Sequence, residues 1–522
     1  MDGENRYADS FNPATGEKIG SALIHTRDQV KQAVGRARPA QAAWAGLSAT
    51  ERVKAVRPIK DHLLENKERI AATIAGDNGK TRLDALVTEV FPSLLATNYY
   101  CRHTAPFLAP RRIRGGSMAL MNKRSRLHRV PYGVVGIISP WNYPFSIPFA
   151  EVVMALLAGN AVILKVASET LQVGMLLEEV LHSADLPPHL FTYVNVPGRI
   201  AGDAFLDGGV NKLFFTGSVS VGKYLMKKAA DTLTPVSLEL GGNDAMLVCD
   251  DADLDRAAAG AVWAGFQNAG QSCGGVERIY AHRNIYKPFL ERLKEKTLAL
   301  RVGQDIDFKV DMGCMTTARQ VETVQAHVKD AVDKGAVIFA RSQVPVNLSS
   351  HFLPAMVLTG VDHGMRVMRE ETFGPVIGVM PVDDMAEAVT LANDSDLGLT
   401  GSVWSADRKK ARAIATSIQA GTITINDHLM SQGLHETAWG GFKTSGIGRT
   451  HGRLGFDEMT EPQTIVDDTL SFLKANLWWH PFDRIQYEGI KGFMACLFAK
   501  SLRRRATGLM ALMRILPRLF KK

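Results

Sequence analysis

Paired cysteines are absent from this sequence. Its five cysteines are scattered among 522 residues without a C-x-x-C pair, a pattern that favours a reducing compartment and argues against a disulfide framework or a zinc site. The polar, acidic N-terminus carries no secretory signal. In the C-terminal part, no apolar run approaches the roughly 20 residues needed to span a bilayer. We therefore expect a cytoplasmic protein that holds no metal.

Acidic residues are absent from the last part of the chain. Residues 489–522 contain nine Lys and Arg and no Asp or Glu, which leaves 52 basic against 53 acidic residues in the remainder. A nucleic-acid enzyme would carry its positive charge around its working site. Here the positive charge lies on an appendage, so the sequence argues against nucleic acid as a partner.

Helices and short apolar strands alternate over most of the chain, and residues 28–97 have helical spacing throughout. The predicted strands are 134–139, 161–166, 191–196, 212–216 and 236–240, then 245–249, 279–282, 337–340, 376–382, 401–404 and 422–425. Helices are predicted in the segments between them. This alternation predicts an α/β fold with two doubly wound, Rossmann-like parallel sheets.

The same pattern predicts how the chain is divided. A length of 522 residues is typical of two or three domains. Residues 1–112 and 132–242 are predicted to form a dinucleotide-binding domain, and residues 243–445 a catalytic domain. Residues 113–131 and 446–468 would form a β-hairpin arm for oligomerisation. Residues 469–522, called the tail below, would be a basic amphipathic extension.

Cys273 lies in a loop of small residues that follows a helical segment. Such a loop leaves the sulfur accessible, and its backbone N–H groups can stabilise the oxyanion that thiolate attack creates. Glu239 ends an apolar run 34 residues earlier. Taken singly, the cysteine could be a small buried hydrophobe and the glutamate a partnered core carboxylate. Together they favour thiol attack followed by base-assisted hydrolysis.

A second pattern is typical of phosphate binding. Gly217, Ser218 and Gly222 follow a strand and open a helix, whose N-terminus presents free N–H groups and a positive dipole end. Alone, this spacing describes an ordinary strand–helix turn equally well. Lys165, which ends an interior strand, either extends to solvent or contacts the ligand. The two features within one parallel sheet favour a dinucleotide.

Seven motifs stand in a fixed order along the chain. They are Pro-Trp-Asn-Tyr-Pro at 140–144, Lys165, Phe-Thr-Gly-Ser at 215–218, Glu-Leu-Gly-Gly at 239–242, Gly-Gln-Ser-Cys at 270–273, Glu-Thr-Phe-Gly-Pro at 371–375 and Gly-Phe-Lys-Thr-Ser-Gly at 441–446. No single motif is decisive, but the order and spacing are those of aldehyde dehydrogenases. From about residue 11 to residue 463, the chain resembles that superfamily.

The resemblance implies a role for each matched residue. Cys273 would form a thiohemiacetal and, after hydride transfer, a thioester. Asn142 would join the Cys273 backbone N–H in an oxyanion hole, and Glu239 would activate water for deacylation. NAD or NADP would be the cofactor. The implied cofactor-binding residues are Trp141, Lys165 at the adenosine ribose, Ser168, Gly217 and Ser218 at the pyrophosphate, Gly222, Glu371 at the nicotinamide ribose, and Phe373 near the nicotinamide.

Two departures from the family pattern matter. Ser168 stands where many relatives have an acid, with Glu169 next to it. A carboxylate there repels the 2′-phosphate of NADP whereas serine tolerates it, so the choice between NAD and NADP stays open. Thr450 stands where many relatives have glutamate, which puts in doubt a second carboxylate beside Glu239.

The tail combines aromatic residues with basic ones. Trp478 and Trp479 precede a predicted helix in which one face carries Phe498, Leu502, Leu509, Met513, Leu516 and Phe520. This composition favours a helix in the interface of an anionic membrane. The alternative is a helix that packs on the body or on another subunit. By family analogy, we expect a homodimer or homotetramer.

Three functions compete at this point. The favoured one is oxidation of a lipophilic aldehyde, such as a fatty, isoprenoid or carotenoid aldehyde, to the carboxylic acid. This choice rests on the tail and on the retained Glu239, since acyl transfer to coenzyme A needs no base that activates water. The alternatives are a semialdehyde dehydrogenase for small polar aldehydes and a non-catalytic, membrane-associated scaffold.

Overall fold

The computed structural model describes residues 6–520, so the polar N-terminal segment 1–5 and residues 521–522 lie outside the described part. Two compact units are present. The first runs to Leu108 and continues over Pro131–Glu461, and the second holds Ala109–Val130 and the chain from Pro462 onward.

The strands of the described part are numbered in chain order. They are β1 (Tyr7–Phe11), β2 (Lys18–Leu23), β3 (Arg111–Ile113), β4 (Lys123–Pro131), β5 (Val134–Ile138), β6 (Ala161–Lys165), β7 (Phe191–Tyr193), β8 (Lys212–Thr216), β9 (Val236–Glu239), β10 (Asp244–Val248), β11 (Val276–His282), β12 (Val337–Arg341), β13 (Met356–Thr359), β14 (Val376–Val382), β15 (Leu397–Gly398), β16 (Thr400–Trp404), β17 (Thr422–Ile425), β18 (Phe442–Lys443), β19 (Gly446–Ile447) and β20 (Thr460–Asp468).

The α-helices are numbered in the same way. They are α1 (Arg27–Ala45), α2 (Ala49–Val56), α3 (Pro58–Glu65), α4 (Lys67–Asn78), α5 (Arg82–Ala85), α6 (Phe91–Leu108), α7 (Ser146–Ala158), α8 (Leu171–Leu181), α9 (Gly198–Gly208), α10 (Val219–Ala229), α11 (Leu254–Phe266), α12 (Arg283–Leu298), α13 (Ala318–Asp333), α14 (Met385–Asn393), α15 (Arg408–Ala415), α16 (Gly452–Glu458), α17 (Arg484–Phe498) and α18 (Leu502–Met513).

Two sheets form the centre of the first unit. One has the strand order β19-β9-β8-β5-β6-β7 and the other β12-β13-β14-β11-β10-β16-β17. Neighbouring strands are parallel except for the antiparallel pairs β19–β9 and β12–β13. Strands such as β5 and β6 are buried at every position, as expected of parallel strands covered on both faces. The predicted α/β fold with two parallel sheets is confirmed.

The sheets place their carboxyl ends beside the loops that carry the sequence motifs. Lys165 ends β6, Thr216 ends β8 and Glu239 ends β9. In open α/β sheets, ligands bind outside the carboxyl ends of the strands. The topology therefore directs the search for a site to this edge.

The second unit contains a three-stranded sheet and a helix pair. The strand order is β20-β4-β3. Strands β4 and β20 lie within the predicted arm segments 113–131 and 446–468, and β3 begins two residues before the first of them. Within residues 6–520, no helix has both the length and the apolar character needed to cross a membrane.

The helix pair corrects the prediction of one continuous helical face in the tail. Phe498 ends α17, whereas Leu502 begins α18 after the extended residue Ala499. The two helices approach closely because glycines face each other: a Cβ on Gly508 would lie 2.3 Å from the carbonyl oxygen of Gly492. The spacing of apolar residues does not reveal this break, since the break depends on the contact between the two helices.

Candidate active site

Cys273 lies in the loop between α11 and β11, where the backbone is unusually constrained. Asn268, Ala269 and Gly270 have consecutive positive φ values of 54°, 55° and 71°. A Cβ on Gly270 would lie 2.1 Å from the carbonyl oxygen of Gly374, so only glycine fits where these two loops meet. Such strained conformations persist only when their surroundings fix them.

Gln271 fixes the loop that carries the sulfur. Its buried side chain donates from Nε2 to the Asn268 carbonyl oxygen at 2.9 Å, and its Oε1 accepts the Thr316 backbone N–H at 2.9 Å. Its own carbonyl oxygen accepts from Asn142 Nδ2 at 3.1 Å. The loop is thus bonded to two other parts of the first unit.

Asn142 is oriented from both its backbone and its side chain. Its carbonyl oxygen accepts from Lys80 Nζ at 2.8 Å and from Asn268 Nδ2 at 2.9 Å. Its Nδ2 donates one N–H to the Gln271 carbonyl oxygen, and its second N–H remains available as a donor. Asn142 and Cys273 line the same cavity, so this remaining donor can serve an oxyanion formed at the sulfur.

A fully buried ion pair supports the turn around Asn142. Lys80 Nζ lies 2.6 Å from Glu89 Oε1, and both side chains are 0 % exposed. The other carboxylate oxygen of Glu89 accepts the backbone N–H groups of Phe145 and Ser146 at 2.7 and 3.2 Å. A buried ion pair whose partners make further hydrogen bonds keeps its geometry, since breaking the pair leaves an uncompensated charge.

Glu239 occupies the last position of β9, between a parallel and an antiparallel neighbour. In register it pairs with Thr216 of β8 and with Gly446 of β19. Burial raises the pKa of its carboxyl to about 8, although the Arg449 cation and a hydrogen bond from the Trp439 side chain oppose the shift. A base with a pKa near neutrality is suited to accept a proton from water.

One cavity of about 430 Å³ brings most of the predicted site residues together. Trp141, Asn142, Gly217, Ser218, Glu239, Cys273, Glu371 and Phe373 all line it, together with Glu169, Arg319, Gln320 and others. Lys165, Ser168 and Gly222 do not appear in its wall. Gly222 instead lets α10 approach the first sheet, because a Cβ there would lie 2.7 Å from a Leu240 methyl group.

The start of α10 fits a phosphate. Gly217 and Ser218 precede the helix and line the cavity, and the Ser218 side chain makes no capping hydrogen bond to it. The first N–H groups of the helix therefore keep their donors free for an anion. A Cβ on Gly217 would lie 2.6 Å from the Phe215 ring, so a larger residue there would displace the ring.

Lys165 is a buried cation at the end of β6. Its side chain is mostly shielded from solvent, and Nζ makes no hydrogen bond to any of residues 6–520. Burial lowers the pKa of Lys165, opposed by the charge of Glu169. A buried ammonium with spare donors fits the hydroxyl groups of a dinucleotide ribose. Glu169, not Ser168, supplies a carboxylate to the cavity.

Glu371 and Phe373 form the opposite wall. Glu371 Oε1 accepts the Gly242 backbone N–H at 3.0 Å, and burial raises the pKa of its carboxyl well above the ordinary value. Phe373 has a φ of 51° and its ring meets Trp141 edge-on at 5.5 Å. Buried Glu277 accepts the Phe373 backbone N–H at 2.7 Å. These contacts present one carboxyl and two aromatic surfaces to a planar ligand.

The thiol of Cys273 is protonated in this environment. Burial is the main cause that raises its pKa above the ordinary value, followed by the charges of Glu371, Asp244 and Glu239. Burial also raises the pKa of both Asp244 and Glu239 to about 8, so these carboxyls are largely neutral at pH 7. Loss of water contact therefore dominates, and a nearby cation would promote thiolate formation.

Sequence reasoning missed several residues that the structure brings to Cys273. Gln320 lines the main cavity, and Glu151, Trp439 and His451 line a smaller one that also contains Cys273 and Glu239. Glu151 left a signal, since it is the lone carboxyl in the helical segment between the strands predicted at 134–139 and 161–166. The others depend on contacts between distant segments and leave none.

Comparisons with known proteins agree with this geometry. Residues 1–465 match the model of the aldehyde dehydrogenase family. A 4,4'-diapolycopene aldehyde oxidase from Methylomonas sp is 40 % identical over 491 residues, covering 94 % of this chain and 91 % of that protein. A protein from Mycolicibacterium smegmatis, provisionally named an NADP(+) succinate-semialdehyde dehydrogenase, is 37 % identical over 453 residues, covering 87 % of each chain.

A solved structure has the same fold. The NAD+ complex of an aldehyde dehydrogenase from Bacillus cereus superimposes with a TM-score of 0.84 at 29 % identity, covering 89 % of this chain and 93 % of that one. That structure contains a nicotinamide dinucleotide. The same cofactor class fits the helix start at Ser218 and the buried Lys165 of this chain.

Gly446 is predicted to be essential for the position of Glu239. Its φ is 149°, and an added Cβ would lie 2.1 Å from the Leu238 carbonyl oxygen. We therefore expect Gly446→Ala to lower the free energy of unfolding by about 2–4 kcal/mol, as measured by urea unfolding. Gly35→Ala is the control, because Gly35 is exposed in α1 with nothing within 4 Å; it should stabilise by about 0.5–1 kcal/mol. Equal effects of the two variants would contradict this prediction.

Proposed function

The chain belongs to the aldehyde dehydrogenase family, and from that premise we propose that it oxidises a lipophilic aldehyde to the carboxylic acid through a thioester on Cys273. The family uses NAD(P). The observation that carries the proposal is the joint placement of Cys273, Asn142 and Glu239 on one cavity, which Gly217 and Ser218 at the start of α10 also line.

Cys273 is the proposed nucleophile. The thiol first gives up its proton to solvent, and the thiolate sulfur then attacks the aldehyde carbon; the oxygen that gains the charge accepts hydrogen bonds from Asn142 Nδ2 and the Cys273 backbone N–H. The bound nicotinamide dinucleotide supplies the hydride acceptor and a positive charge. Gly217 and Ser218 would hold its pyrophosphate, with Lys165 and Glu371 at the two riboses. Collapse of the oxyanion expels hydride from carbon and leaves the thioester.

Glu239 is the proposed base for hydrolysis. Its Oε2 is buried without a hydrogen-bond partner among the described residues, so that oxygen is available to a water molecule. Water gives a proton to Glu239 as its oxygen bonds to the thioester carbon, and the sulfur leaves. The retained carboxyl supports release of a free acid over transfer to coenzyme A.

Substitution of Glu239 tests this assignment. Glu239→Gln should keep the burst of NAD(P)H from the first turnover and lower steady-state turnover by about 10²–10⁴-fold, since the general base is lost. Cys273→Ala should lose both the burst and the turnover. Stopped-flow absorbance of NAD(P)H measures both phases, and mass spectrometry should find the acyl group on Cys273. Undiminished turnover of the Gln variant would refute the role of Glu239.

The described wall of the smaller cavity beside Cys273 offers no cation to a substrate carboxylate. It is lined by the apolar Ile147, Leu240 and Trp439 and by the carboxyls of Glu151 and Glu239, and its wall contains no Lys or Arg among the described residues. Arg449, although near Glu239, donates to backbone carbonyls. A semialdehyde that extended its distal carboxylate toward this cavity would find no cation in that wall to pair with it, which disfavours the alternative substrate class.

The relatives point in the same direction. A match of 491 residues in a chain of 522 must extend past residue 465, into the second unit. The match to the protein named for succinate semialdehyde spans 453 residues and need not do so. The relative named for a carotenoid aldehyde therefore shares part of the second unit with this chain, which supports a lipophilic substrate.

A panel of aldehydes tests the substrate class. kcat/KM should rise with aliphatic chain length by up to about fourfold per buried methylene. A medium-chain aldehyde should exceed succinate semialdehyde by at least about a hundredfold, given the cost of desolvating a carboxylate that has no cation to pair with. Initial rates of NAD(P)H formation give both comparisons. A preference for the semialdehyde would reverse the substrate assignment.

We also propose that the tail docks on the inner face of an anionic membrane. Large apolar side chains stand exposed on its helix pair, with Phe498 74 % and Leu502 81 % exposed. Arg503, Arg504 and Arg505 are exposed beside them. Exposed apolar surface next to basic charge is typical of peripheral membrane helices. A surface-bound enzyme meets lipophilic aldehydes at high local concentration.

Vesicle sedimentation tests the tail. Deleting residues 471–522 should abolish binding to vesicles with anionic lipid, and replacing Arg503, Arg504 and Arg505 with Gln should weaken it about a hundredfold, at about 1 kcal/mol per charge. The matched control replaces the exposed Arg408, Lys409 and Arg412 of α15 and should bind as the parent. Unchanged binding after deletion would remove the proposal, and a changed oligomeric state would favour a subunit contact.

Two further proposals concern the domains and subunits. We assign the sheet containing β5–β9 to dinucleotide binding and the sheet containing β10–β17 to catalysis. The sheet of β3, β4 and β20 is assigned to subunit assembly, because exposed edge strands offer unpaired backbone groups to a second copy.

A further inference from the structure

A second carboxyl lines the smaller cavity together with Glu239. Glu151 of α7 is 4 % exposed and lines the smaller cavity together with Glu239 and Cys273. Its carboxyl makes no hydrogen bond to any of residues 6–520. Thr450, which stands where many relatives have glutamate, lines the same cavity.

The cavity is polar and of the size of a water molecule. Its volume is about 30 Å³, enough for roughly one ordered water. Three of its polar atoms are buried without a hydrogen-bond partner in the described part of the chain: Glu239 Oε2, Thr450 Oγ1 and His451 Nδ1. Buried polar atoms are nearly always satisfied in folded proteins, so these groups indicate a bound water.

The two carboxyls differ in what stabilises their charge. The Arg449 cation and the Trp439 side chain stabilise ionised Glu239. Burial raises the pKa of Glu151 to about 8, and the charge of Glu239 raises it further, with no cation opposing the shift. When one proton leaves the pair, it therefore leaves Glu239, and Glu151 stays protonated.

We propose that Glu151 positions the hydrolytic water: its protonated carboxyl donates a hydrogen bond to the water that Glu239 deprotonates. This inference rests on the proposed role of Glu239. In the step, the water proton passes to Glu239, the water oxygen bonds to the thioester carbon, and the carbon–sulfur bond breaks with its electron pair on sulfur. Glu151 keeps its own proton throughout, so atoms and charge balance without another reactant.

The remaining groups around Glu151 stay neutral over the relevant pH range. Tyr100 of α6 is coupled to Glu151, and burial raises the pKa of its hydroxyl well above the ordinary value. Burial lowers the pKa of His451 well below its ordinary value and that of His435, whose ring lies 4.7 Å from His451, to about 4. In the acyl-enzyme, Cys273 carries no titratable thiol.

The pair gives deacylation two opposite pH limbs. Rising pH first ionises Glu239 and creates the base. A further rise ionises Glu151, which removes the donor and places two negative charges on one cavity. Deacylation of the parent enzyme should therefore be bell-shaped in pH, with the alkaline limb belonging to Glu151.

Single-turnover deacylation from pH 6 to 10 tests the proposal in the full-length enzyme loaded with cofactor and a medium-chain aldehyde. Glu151→Gln retains an N–H donor and cannot ionise, so its rate at pH 7 should stay within about threefold and its alkaline limb should vanish. Glu151→Leu removes the donor and should slow deacylation about tenfold, the worth of one hydrogen bond. Both variants should keep the parent's acylation burst, which reports correct folding.

Glu178→Gln is the matched control, since it removes a half-buried carboxyl of raised pKa from α8, outside the smaller cavity. It should reproduce the parent profile. Parent-like rates and pH limbs in both Glu151 variants would overturn the inference. A pH profile of the parent enzyme without an alkaline limb would also overturn it, and that measurement does not depend on the folding of any variant. If instead Glu239→Gln fails to trap the acyl-enzyme, the proposed role of Glu239 fails as well.

Discussion

Loss of solvent around the ionisable groups is the constraint on which this site depends. Burial is the main cause that raises the pKa of the Cys273 thiol and of the Glu239 and Asp244 carboxyls. Neither nucleophile nor base is therefore charged by default near neutral pH. Charge has to be stabilised locally: by the Arg449 cation for Glu239, and by a cation at the sulfur for Cys273. In the proposed mechanism, the bound nicotinamide would supply the cation at the sulfur.

Such a site also needs a backbone that does not relax toward solvent. The Cys273 loop contains three consecutive left-handed residues and meets Gly374 where only glycine fits. The buried Lys80–Glu89 pair holds the turn at Asn142. These contacts connect distant segments to one cavity, so the positions of the oxyanion donors do not depend on any single loop. Preorganised donors of this kind act without reorganisation during the reaction.

The features that the sequence predicts depend on neighbouring residues, whereas the features that it misses depend on contacts between distant segments. The strands of the two sheets lie within one to three residues of their predicted limits because their apolar runs are local signals. β13 was missed, and so was the pairing of β19 with Glu239, since a two-residue strand carries no pattern of its own. In the tail, periodicity gave one helical face, but packing between Gly492 and Gly508 divides it into two helices. The chemistry of Cys273 was readable because its motifs are contiguous, whereas Lys80 and Glu89 act through partners far away in the sequence.

Glu151 shows a further limit of reading a chain by resemblance. A family pattern transfers roles position by position, so the threonine at 450 signals only that a carboxyl is missing. The structure places a carboxyl from α7 at the same cavity, on a helix whose other residues are almost all apolar. Keeping an unpaired acid in that environment costs stability unless the acid stays protonated. A lone carboxyl in an otherwise apolar buried helix is therefore a sequence signal for a neutral hydrogen-bond donor, and the cavity that it faces tells which group it serves.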